Sequence, residues 1–147
     1  MTEIEFHFNV PDKLQYACRL VRKVYRGGFK AVVTAELDVL SELDQLLWHF
    51  SPTEFVPHYL KHGQSNEHTL KATPVLLAEQ PDDCPPGSIL INLGRTAPPN
   101  FERFERFIEV VANQENDRIL GRTRWSHYKD RGYALRRHDL SVNTDAA

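Results

Sequence analysis

The chain has 147 residues, enough for one compact domain with a real core and too few for two comfortable ones. Its 41% apolar and 26% charged residues make an ordinary soluble composition. A net charge of −2 and a pI near 6.4 argue against a protein that simply coats DNA, which would be basic overall.

Cys18 and Cys84 form no metal or redox motif, and Cys18, inside an apolar helical pattern, reads as a buried free thiol. No apolar run approaches the roughly 18 residues of a membrane span, and the first residues lack the basic and apolar regions of a signal peptide. A soluble, cytosolic chain with no membrane contact is expected.

Residues 3–10, EIEFHFNV, alternate strictly, with Ile4, Phe6, Phe8 and Val10 on one face and Glu3, Glu5, His7 and Asn9 on the other. That pattern predicts a half-buried strand. Pro11 and Asp12 open a helix in which Leu14, Cys18, Leu20, Val21, Val24 and Tyr25 recur at helical spacing, and Gly27-Gly28 ends it. Residues 30–35, KAVVTA, predict a second strand, and 36–48, rich in leucine, a second helix. A βαβα order with short connections implies an α/β domain with a mainly parallel sheet flanked by helices. It is read as a single Rossmann-like domain over residues 1–140.

Between the first strand and helix stands NVPDK, with no glycine. A phosphate cradle needs glycines there so that backbone N–H groups can approach the phosphate. The topology therefore predicts no phosphate-binding loop and no cofactor at the usual turn.

Beyond residue 48, the short apolar pieces FVPHYL and PVLLAE are separated by polar and proline-rich stretches. Residues 88–93 predict another strand, bounded by Pro85-Pro86-Gly87 and Gly94. One or two helical turns are expected over 101–107, a β-branched strand over 107–111 and a helix from about 115 to 131, stopped by Gly132. Residues 141–147 are small and polar and are expected to be a disordered tail.

The segment 114–138 holds seven of the 18 Lys and Arg residues but three of the 20 Asp and Glu, so it carries +4 against −6 for the rest. Arg118, Arg122, Trp125 and Lys129 fall within an arc of about 60° on its helix, while Leu120 and Tyr128 are expected to face the core. Three cations around one indole are either a solvated face or a receptor for an anion with an aromatic end. The aromatics crowded into residues 46–60, among them Trp48, Phe50, Phe55 and Tyr59, are equally open: core closing the sheet edge, or a partner-binding patch.

Catalytic and metal chemistry are poorly supported. His58 and His62 have the i, i+4 spacing of a metal pair with His68 nearby, yet Pro57 and Gly63 break the stretch, which reads as a loop with incidental histidines. Triads drawn from Ser51 or Ser65 lack a nucleophile elbow.

LLW at 46–48, FVPH at 55–58, ILINL followed by Arg95-Thr96, FIEVV at 107–111 and GRTRWSHYKDRGYAL at 121–135 together resemble the chi subunit of bacterial DNA polymerase III holoenzyme, across nearly the full chain. The resemblance implies a Rossmann-like fold without nucleotide binding and an accessory subunit without catalysis of its own, any polymerase activity belonging to the holoenzyme. It implies a one-to-one pairing with the psi subunit, which tethers chi to the clamp loader. A second partner is implied: the acidic C-terminal tail of single-stranded DNA-binding protein, which ends in Pro-Phe and a free carboxylate. DNA is then reached only indirectly, and no cofactor or metal is involved.

Carried over to this chain, the tail site falls on Arg118, Arg122 and Trp125, with Arg124 and Lys129 as neighbouring cations. Ser126 stands where the resemblance leads one to expect a base. The psi-binding surface falls on Trp48, Phe55, Val56, Pro57 and His58. A rival reading makes the basic helix a direct single-stranded nucleic-acid binder. A third, a small-molecule enzyme, wants a phosphate loop or acid–base pair that the sequence lacks.

Overall fold

The computed structural model of the chain describes residues 2–49, 55–61, 66–85 and 89–141. In order it holds β1 (Glu3–Val10), α1 (Lys13–Arg26), β2 (Ala31–Thr34), α2 (Leu37–His49), β3 (His58–Leu60), α3 (Glu67–Ala72), β4 (Val75–Leu77), β5 (Ile89–Asn92), β6 (Arg106–Ala112), α4 (Glu115–Asp130) and β7 (Leu135–Asp139). Single 3-10 turns lie at Pro81–Asp83 and Phe101–Arg103. The strands form one sheet in the order β3-β4-β2-β5-β6-β1-β7, and every neighbouring pair runs parallel. The expected Rossmann-like α/β architecture is thus the observed one.

Parallel strands need crossovers, and the crossovers cover both faces with helices. α1 and α2 pack on one face through Ala17, Val21, Leu40 and Leu43, against Val33, Ile91 and Val110 of the sheet. α3, α4 and the Phe101–Arg103 turn cover the other through Leu70, Tyr128, Phe101 and Phe104, against Phe6, Leu90 and Phe107. The central strands β2 and β5 are buried on both sides, which explains their apolar runs, AVV and ILI, each followed by one buried polar residue, Thr34 and Asn92.

Double coverage also changes the reading of β1. Its polar face is largely covered: Glu3 is exposed, Glu5 and Asn9 are half-buried and His7 is buried. His7 is buried under α1, where its Nδ1 is hydrogen-bonded with the Tyr16 hydroxyl. Glu5 lies beside His7 and takes a 2.8 Å bond from Arg106 on β6. Those two neighbours, His7 first, hold the Glu5 carboxyl down at about 2 against the opposing effect of burial. Burial, with the Glu5 charge nearby, pushes the Tyr16 phenol up to about 12.

Four elements were not legible in the sequence: β3, α3, β4 and β7. The helical turns expected over 101–107 shrink to one 3-10 turn, because β6 begins at Arg106. Cys18 is the buried free thiol expected. His58 sits on strand β3, so its helical spacing to His62 has no geometric meaning, and His68 is exposed on α3. His62, Phe50, Ser51, Ser65, Pro86-Gly87 and residues 142–147 of the tail expected over 141–147 lie outside the described residues, while its first residue, Ser141, donates its N–H and hydroxyl to Asp139. Among the described residues no three metal-ligating side chains gather, and no helix is long and apolar enough to cross a membrane.

Candidate functional site

α4 runs from the carboxyl ends of the strands back towards their amino ends, since it joins the parallel strands β6 and β7. It lies close to the sheet at Gly121, where an added Cβ would meet both methyls of Val111 at 3.0 Å. Asp117, Gly121, Arg124 and Tyr128 form its buried arc. Leu120, expected in the core, lies about 80° round from Tyr128 and is exposed.

Under that arc lies a buried polar network, in which only the Arg124 Nη2 lacks a hydrogen-bond partner among the described residues. Glu109 on β6 is fully buried. It accepts hydrogen bonds from Asn92 Nδ2 at 2.9 Å, Arg124 Nε at 3.0 Å and the Tyr128 hydroxyl at 2.6 Å. Burial pushes the Glu109 carboxyl above its usual range, and Arg124, Tyr128 and Asn92 oppose that shift. The Tyr128 phenol is pushed up by its own burial and by the Glu109 charge.

Arg124, expected among the tail-binding cations, belongs to this network instead. It is only 4% exposed, and its Nη1 donates to the Arg95 carbonyl at 2.6 Å. The reason is angular: Arg124 lies about 200° round the helix from Arg122 and so faces β5 and β6.

The remaining expected residues do share a face. Arg122 and Lys129 are exposed, Arg118 is partly exposed and loosely paired with Glu115 at 3.9 Å, and Trp125 is half-buried. The Trp125 indole meets the Phe6 ring edge-on at a centroid distance of 5.1 Å. That contact anchors the indole over β1, at about 0.5–1.5 kcal/mol. Ser126 is exposed beside it. The site can offer a guanidinium fork to a carboxylate and an aromatic wall to an apolar end.

The second expected surface is split by the structure. Trp48, 55% exposed at the end of α2, and Phe55, 47% exposed, lie with their rings 5.0 Å apart. Val56 is buried, Pro57 is half-buried, and the His58 side chain is fully covered beneath the two rings. His58 Nδ1 lies 2.7 Å from the Val56 carbonyl and its Nε2 3.2 Å from Asp44. The residues of 46–60 thus divide by exposure: Val56 and His58 are covered support, while Trp48 and Phe55 are exposed.

The turn after β1 is closed to phosphate. Asp12 caps α1 by accepting the N–H groups of Leu14 and Gln15 at 3.1 Å, the donors a phosphate would use. Lys13 is committed to Asp117 at 2.8 Å and to the Leu93 carbonyl at 2.9 Å. At the same carboxyl edge an open crevice lies between Thr34, Glu79, Asn92 and Arg95, but the Asn92 amide beneath it is already bonded to Thr96, Gly94 and Glu109.

A parallel Rossmann-like sheet with its phosphate corner occupied by its own side chains, and its accessible aromatic and cationic groups at the two sheet edges, defines the class of domain. The family described as DNA polymerase III chi subunit, HolC, matches residues 1–136 of the chain. The chain is 33% identical over 149 residues to DNA polymerase III subunit chi of Pseudomonas aeruginosa, covering 95% of this chain and 98% of that one. It is 28% identical over 123 residues to the Haemophilus influenzae protein of the same name, covering 82% and 83%. The chain belongs to the DNA polymerase III chi subunit family.

Proposed function

We propose that this chain is a non-catalytic, cytoplasmic accessory subunit of the replicative DNA polymerase III holoenzyme. It links the clamp loader, through a psi subunit docked on Trp48 and Phe55, to the acidic tail of single-stranded DNA-binding protein held on Arg118, Arg122, Trp125 and Lys129. One observation carries the reading: two accessible surfaces of different chemistry, one aromatic and one cationic with an indole, stand at opposite edges of a single sheet. An adaptor needs such separation so that both partners can be held at once.

The tail's chemistry suits the second surface. A terminal carboxylate takes an arginine fork, a terminal Phe takes an aromatic wall, and preceding aspartates take the surrounding cations.

Titration of a labelled acidic peptide ending in Pro-Phe is expected to give a Kd on the order of micromolar, weakening with salt. Arg122→Ala should weaken binding about 10- to 100-fold, the size of one hydrogen-bonded charge. Equal binding of a peptide without its final Phe would remove the aromatic wall from the account. Retardation of single-stranded DNA by the chain alone, with a steep salt slope, would favour direct nucleic-acid binding instead.

A further inference from the structure

The cationic face of α4 does not end at the helix. Across from it runs β7, whose register with β1 pairs Ile4 with Leu135, Phe6 with Arg137 and Phe8 with Asp139. Paired residues in a parallel ladder share a face, so Arg137 lies on the α4 side of the sheet. His138, next along, lies on the opposite side, with its ring 4.9 Å from that of His7. The Arg137 guanidinium stands 5.6 Å over the centre of the Phe8 ring.

The levels match as well. Trp125 sits over Phe6. Arg122, three residues earlier on α4, is about 4.5 Å nearer the carboxyl ends of the strands. Phe8, two residues beyond Phe6, is about 6.6 Å nearer them. Arg122 on the helix and the Arg137 guanidinium over the half-buried Phe8 ring therefore both lie on the carboxyl-end side of Trp125, on the same side of the sheet. Among the described residues, neither makes an ion pair. Asp139, the nearest acid on β7, is held by Asn9 Nδ2 at 2.9 Å and by Ser141, and Arg137 adds a weaker charge interaction to it without forming an ion pair.

We propose that Arg137 is a further binding residue of this receptor. The aspartates that precede the terminal apolar residue of an acidic peptide run between α4 and β7, over the Phe8 ring, with Arg122 on one side and Arg137 on the other. The inference rests on the tail-binding reading and adds a direction to it: the terminus lies at Arg122 and Trp125, and the acidic segment leads off towards the sheet edge. Charge complementarity selects the occupant, because two exposed guanidinium groups without ion pairs among the described residues, one beside the indole and one over the Phe8 ring, favour an anionic segment.

The test titrates the full chain with two labelled peptides, an acidic one ending in Pro-Phe and its twin with every Asp changed to Asn. Arg137→Ala is expected to weaken the acidic peptide about 5- to 10-fold and Arg137→Glu more, while Arg137→Lys keeps most of the affinity. The Asn twin should bind Arg137→Ala and the unaltered chain alike. Arg137 is exposed on an edge strand, so each variant should fold, and circular dichroism checks that it does. If Arg122→Ala loses binding while Arg137→Ala and Arg137→Glu stay within twofold of the unaltered chain, Arg137 is outside the site and the tail reading survives. If the unaltered chain binds neither peptide, both readings fall.

Discussion

Arg122 and Arg124 stand two positions apart in one helix, and the fold puts them in different environments. Arg122 is in water with no ion pair among the described residues, whereas Arg124 shares a buried network with Glu109, Tyr128 and the Arg95 carbonyl. Removing one partner of a buried pair leaves the other uncompensated, which costs far more than the pair gains over an apolar replacement. Arg124→Ala should therefore lower stability by about 3–5 kcal/mol in urea unfolding. Arg122→Ala should stay within about 0.5 kcal/mol while losing tail affinity. Equal stability of the two variants would contradict the network. The sequence carried a signal for this contrast, since helical geometry alone sets Arg124 apart from Arg118, Arg122 and Lys129. What it lacked was Glu109, which reads as one polar residue in FIEVV and becomes fully buried only because both faces of β6 are covered.

At the scale of elements, α4 is held against the sheet at the point where Gly121 meets Val111. Alanine there would gain helix propensity, up to about 1 kcal/mol, but its Cβ would press on two methyls at 3.0 Å. Val111 is itself buried and has little room to yield. Gly121→Ala should thus be destabilising by about 1–2 kcal/mol net, with Val111→Ala in the same chain relieving the contact. A double-mutant cycle by thermal or urea unfolding measures the coupling, and additive effects would show that the helix simply shifts away.

Elements with strong periodicity, β1, α1, α2 and α4, were visible in the sequence, and Asp12 and Gly132 mark helix ends where expected. β3 and β4 are three residues each, too short for any period to register. β7 reads LRRHD because an edge strand with a solvated side needs no apolar alternation and gains from charges that deter pairing. Missing β7 also meant missing Arg137, whose place beside Phe8 exists only through register.

At the scale of the whole molecule, the sheet acts as a spacer. With β3 and β7 at its opposite edges and strands about 4.8 Å apart, six spacings set the edge strands beside the Trp48–Phe55 pair and beside the cationic face of α4 about 29 Å apart. The two surfaces also lie with helices of opposite faces. Substitutions at sites that distant and without shared partners act independently. Trp48→Ala is therefore expected to abolish pairing with psi in a pull-down or titration and to leave tail-peptide affinity within twofold. Arg122→Ala should do the reverse, and cross-effects would mean that the sheet transmits a change between its edges.

By itself the sequence determined the parallel α/β class, the glycine-free first turn and the family, because these depend on local periodicity and on short runs of residues in order. It also gathered the positive charge into one helix. Only the tertiary structure decided which of those charges face water, which aromatics near residue 50 are covered and which are exposed, and that β7 sets a further arginine over Phe8 on the α4 side of the sheet. Those outcomes depend on which faces the sheet and helices cover, and burial is a property of residues distant in sequence meeting in space.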